Sequence, residues 1–78
     1  MFAIRMVREG NTIVDRPLFI IRGRSTRRGV TTPTWKLAEP GNPSITTWVT
    51  HDIANFHAEE MSGEHYEFEA VEYKGKEA

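Results

Sequence analysis

The chain predicts a small α+β domain: one antiparallel sheet of about four strands with a single amphipathic helix packed on one face, in the order β-β-β-α-β. Three observations carry this: two-residue hydrophobic alternation near both ends, one stretch with helical periodicity, and breaker-rich connections short enough for hairpins. At 78 residues, 38% hydrophobic and 27% charged, the composition suits one folded domain over residues 1–78. Such a domain buries only about 60% of the surface its unfolded chain exposes, so its stability is expected near 5 kcal/mol, roughly.

Residues 1–8 alternate, with Phe2, Ile4 and Met6 on one side and Ala3, Arg5 and Val7 on the other, which is strand periodicity. Glu9, Gly10 and Asn11 make a turn, and Ile13 and Val14 extend the hairpin until Pro17 confines it to an edge. Residues 18–22, mostly apolar, read as a second strand. Residues 23–29 read as a basic loop and residues 34–37 as a third strand returning from it. Residues 39–43, with Pro40, Gly41 and Pro43, are a loop.

The helix is expected over residues 51–62, with Thr50 as N-cap, Asp52 in the first turn and Gly63 closing the C-terminus. Steps of about 100° place Ile53, Ala54, Phe56, His57, Ala58 and Met61 in one apolar arc against the sheet. Residues 64–73 form the last strand, with Tyr66, Phe68 and Ala70 opposite Glu67 and Glu69. Residues 74–78 are expected to be a frayed tail. The aromatic and aliphatic side chains are expected to fill one sheet–helix interface.

The charges divide by half. Up to Glu39 there are eight basic residues against three acidic ones, a net of +5; beyond it two face eight, a net of −6. A dipole of that size marks where a charged partner docks. There is no Cys, hence neither a disulfide framework nor a thiolate metal site. No apolar run approaches the ~20 residues of a membrane span, and no leader is read, so a mature cytoplasmic protein is expected.

Candidate chemistry is sparse. His51 and His57 lie six residues apart, about 240° round a helix, so they and Asp52 do not converge as a metal or catalytic site; His57, inside the apolar arc, reads as a core histidine. The glycines form no phosphate-binding loop. No metal, cofactor or enzymatic activity is therefore expected.

Two charged sets remain. Arg22, Arg24, Arg27 and Arg28 could grip phosphates, with Ser25 and Thr26 adding hydroxyls, or simply keep a strand edge soluble. Glu59, Glu60, Glu64, Glu67 and Glu69 could form an acidic wall. Carboxylates two apart on a strand stand ~6.7 Å apart, near the phosphate rise of a nucleic-acid strand. The competing reading is intramolecular, with Arg5 and Arg22 on neighbouring strands neutralising Glu67 and Glu69.

The segment Thr47-Trp48-Val49-Thr50-His51-Asp52-Ile53-Ala54-Asn55-Phe56, with the closing strand Tyr66-Glu67-Phe68-Glu69-Ala70-Val71-Glu72-Tyr73, resembles short phage-encoded host-takeover proteins, the anti-CRISPR proteins most of all. This resemblance implies a non-enzymatic, stoichiometric inhibitor in the host cytoplasm; a monomer, or a homodimer paired through the edge strand near Pro17 or the closing strand, is expected. Its partner would be a CRISPR effector such as the Cascade complex, met through the acidic residues in competition with target DNA. The basic first half departs from DNA mimics that are acidic throughout. The alternative is a small nucleic-acid-binding module using the arginines at 22–28.

Overall fold

A computed structural model of the chain describes residues 1–74. Its elements are β1 (Phe2–Glu9), β2 (Thr12–Ile13), β3 (Phe19–Arg27), β4 (Val30–Ala38), α1 (His51–Met61) and β5 (Tyr66–Glu72). The fold is α+β, an antiparallel sheet with one helix, as the periodicities predict. Of the expected tail, only Lys74 lies among the described residues.

The central strand is β1. β5 pairs along its whole length on one edge; on the other, β2 takes its C-terminal end and β3 meets it at Arg5 opposite Phe19. Beyond that point β1 and β3 separate, and the chain at 45–48 is wedged between them. Trp48 exchanges two backbone hydrogen bonds with Phe2, at 2.7 and 2.8 Å, while Thr46 N–H donates to the Ile20 carbonyl at 3.2 Å. The segment that follows the breaker-rich loop thus satisfies strand groups that splaying would otherwise leave unpaired.

Two hydrophobic clusters occupy opposite faces of the sheet, where a single sheet–helix interface is expected from sequence. Ile4, Met6, Ile20 and Phe68 meet Ala58 of α1, with Trp35, Leu37, Trp48, Met61 and Tyr66 around them. On the other face Ala3, Phe19, Ala38 and Ile45 pack together with Ile21, Val71 and Tyr73. Tyr73 closes this second cluster, its ring tilted against Phe19 at 4.8 Å and its hydroxyl accepting the Gly41 N–H.

The helix sits differently from its predicted arc. Ala54 and Ala58 are its buried residues, whereas Phe56 is 58% and Ile53 49% exposed. Small side chains let the helix backbone approach the sheet closely, which turns the larger apolar residues outward. Thr50 is the N-cap, accepting the Ile53 N–H. At the other end Ser62, not Gly63, closes the helix: its hydroxyl donates to the Ala58 carbonyl at 2.8 Å and accepts the Phe68 N–H at 2.9 Å. One hydroxyl therefore caps α1 and satisfies the start of β5.

Candidate nucleic-acid interface

The expected basic loop at 23–29 is a strand. β3 continues through Arg27 and pairs residue by residue with β4 from Phe19 opposite Ala38 to Arg27 opposite Val30. Only Arg28 and Gly29 form the turn, with φ of 53° and 79°. Two consecutive positive φ values define the two-residue hairpin turn whose twist matches that of the flanking strands. Glycine adopts this conformation freely. An arginine adopts it at a cost of about 1–3 kcal/mol.

The result is an arm. Among the elements, the backbone of β4 approaches only β3, and it meets the remainder of the molecule through side chains at its base. There Trp35 packs edge-on against Tyr66 at 5.2 Å and Phe68 at 5.3 Å, and Leu37 lies beside the helix-side cluster. From residue 23 to residue 34 the arm holds no aromatic side chain; Ser, Thr, Gly, Pro, Val and Arg compose it.

Charge is concentrated on this arm. Residues 19–38 contain Arg22, Arg24, Arg27, Arg28 and Lys36 and no carboxylate, so the whole +5 excess of the N-terminal half lies here. Among the described residues none of these five cations forms an ion pair. Arg22 and Arg24, two apart on β3, line an open groove of about 590 Å³ together with Gly23, Thr31, Pro33 and Thr46. Arg22 N–H donates to the Thr46 hydroxyl at 2.8 Å, fixing the groove wall. Thr26 and Thr31 share a hydroxyl–hydroxyl bond of 2.9 Å across the ribbon. Unpaired guanidinium groups beside hydroxyls are the donor set that binds phosphate oxygens.

The acidic residues do not gather as one free wall. Glu69 is held by Arg5 at 3.2 Å and Glu67 by Arg8 at 3.6 Å, both on the sheet face away from α1. The expected partner of this pairing, Arg22, stands instead on the arm. Arg8 reaches Glu67 through a β-bulge: the register shifts between Met6 and Arg8, so Arg8 leaves the side of Met6 and joins that of Arg5. It also donates to the backbone carbonyls of Gly10, Glu64 and Gly63, tying the β1–β2 turn to the α1–β5 connection. The other three carboxylates lie on or after the helix. Glu59 accepts from Asn55 at 3.2 Å, Glu60 stands 3.9 Å from His57, and Glu64 is exposed in the connection.

The two helix histidines contact different side chains. His51 packs against Phe2 at 5.6 Å, and His57 stacks on Trp48 at 5.2 Å. His57, expected in the core, is only partly buried, and its buried Nδ1 has no hydrogen-bond partner among the described residues. Among the described residues no three His, Cys, Asp or Glu side chains cluster as metal ligands, and no helix is long and apolar enough to cross a membrane.

Sequence reasoning missed Lys36, Thr31 and Thr46 as parts of the basic site. A signal was present for the first two. The Arg28-Gly29 pair is flanked by β-favouring threonines at 31, 32 and 34, and the register it sets puts Lys36 on the arm. No protein-family profile, curated protein or solved structure matches this chain.

Proposed function

We propose that this protein binds a nucleic-acid backbone through its β3–β4 arm. The observation that carries the proposal is the arm's composition: five cations, no carboxylate, and no internal ion pair among the described residues, on a ribbon whose strand β4 approaches no element but β3. Unpaired like charges on one small element repel each other, and a polyanionic partner relieves that repulsion. The left-handed Arg28 supports the same reading. A backbone cost is accepted there to hold a guanidinium at the turn of the hairpin.

The test is fluorescence anisotropy with labelled oligonucleotides at ~100 mM salt, where phosphate contacts still operate. Wild-type protein binds, and a variant with Arg22, Arg24, Arg27 and Arg28 all changed to Gln does not. Absence of wild-type binding to every nucleic acid at 50 mM salt ends this reading.

A second reading keeps the protein partner implied by the anti-CRISPR resemblance and moves its contact surface from strand to helix. The outward face of α1 carries exposed Ile53 and Phe56 beside Asp52, Glu59 and Glu60, an apolar anchor with an acidic rim. Glu67 and Glu69, held by Arg8 and Arg5, contribute little to such a surface. In a CRISPR-interference plaque assay this reading expects Phe56→Asp to abolish protection of the phage while the four-arginine variant retains it.

A further inference from the structure

We infer that the arm's partner is double-stranded DNA, entered through the major groove, with cations on both faces of the ribbon meeting the two phosphate rows that wall the groove. This rests on the nucleic-acid reading above and names its substrate. Successive strand residues point to opposite faces. Arg22 and Arg24 therefore share the face of Thr26 and Thr31, where they line the groove with Pro33, whereas Arg27 and Lys36 lie on the other face. A ribbon lying flat on one backbone has use for cations on one face only. Cations on both faces suit a ribbon standing between two backbones.

Dimensions agree. Turned with its faces to the two walls, a single sheet layer about 10 Å thick fits a groove of about 12 Å but not the roughly 6 Å minor groove of the same duplex. Between Gly23 and Arg27 the arm extends about 14 Å, further than the groove's depth of about 8.5 Å. Gly23 keeps the ribbon slim at its base: a Cβ there would lie 3.0 Å from the Thr34 hydroxyl. Arg28 at the turn is then the side chain presented to the groove floor.

The other nucleic acids fit less well. Single strands are held by bases stacking on aromatic platforms. The outer arm has none, and Trp35 at its base is occupied with Tyr66 and Phe68. The major groove of duplex RNA is deep and narrow, closed to a two-stranded ribbon. Outside the arm the described residues carry a net charge of −6, so the body is repelled by phosphates while the arm is drawn in.

The full chain is titrated into a labelled 20-base-pair DNA duplex, each of its separate strands, and the RNA duplex of the same sequence, at 50–200 mM salt. Duplex DNA is expected to bind at least tenfold more tightly than the others, with log K falling against log salt at a slope of about −4. Arg24→Gln and Arg27→Gln, on opposite faces, each weaken binding by roughly tenfold and reduce that slope by about one. Both positions are exposed, and matching thermal melts establish that the variants fold. Netropsin, a minor-groove ligand, does not displace the protein. Equal or tighter binding of a single strand or of RNA, an effect at only one face, or displacement by netropsin overturns the duplex proposal and leaves arginine-dependent binding standing. No binding to any of these oligonucleotides sinks both.

Discussion

The arm and the body of this protein use arginine in opposite ways. In the body, Arg5 and Arg8 are partly buried and fully engaged: they hold Glu69 and Glu67 across the sheet and donate to the carbonyls of Val14, Gly10, Gly63 and Glu64. On the arm, Arg24, Arg27 and Arg28 are exposed and engage no carboxylate among the described residues. Arg5 and Arg8 stabilise the fold and leave little charge for a partner. The arm's cations meet no carboxylate among the described residues and remain available. A basic residue is thus informative about binding only when its own chain leaves it unsatisfied.

This contrast is most sharply broken in the core. Ile4→Ala removes a fully buried side chain between β5 and α1 and should cost about 3 kcal/mol, more than half of a stability near 5 kcal/mol. Thr32→Ala on the arm should stay within about 0.5 kcal/mol. Urea titrations of the two variants measure the difference, and similar losses would mean that the arm is part of the core.

Arg8→Ala comes next. It unties three backbone carbonyls from one guanidinium and frees Glu67, with an expected loss of about 2 kcal/mol and a melting temperature lower by roughly 10 °C. Nucleic-acid affinity should be unchanged within about twofold, since Arg8 is not on the arm; a large loss of affinity would dissolve the division drawn above.

Arg28→Asn is the smallest and most diagnostic change. Asn-Gly is the favoured pair for this turn, so the substitution should stabilise the protein by about 0.5–1 kcal/mol while weakening DNA binding. Thermal melts and anisotropy on the same samples decide it. Stabilisation without loss of binding would show Arg28 to be no part of the interface.

Much of the fold was legible because local periodicity carries it. The alternation of Phe2, Ile4 and Met6, the Thr50 cap and the alternation of Tyr66, Glu67 and Phe68 each require only neighbouring residues to be read. The arm was half legible. Its arginines stand out, but residues 23–29 alternate only weakly in polarity because both faces of the ribbon meet solvent, and periodicity has nothing to report where neither face is buried. The acidic set misled for a different reason. Strict alternation places Arg8 with Met6, and a bulge near Val7 places it with Arg5 opposite Glu67.

The sequence by itself determined the α+β class, the helix and its N-cap, and the charge asymmetry. These depend on composition and on spacing within one element. Only the tertiary structure decided which charges are spent. Whether Glu67 meets a guanidinium, or Arg24 meets no carboxylate among the described residues, depends on register and on which strand lies beside which, and those are set by burial of the hydrophobic core between elements distant in sequence.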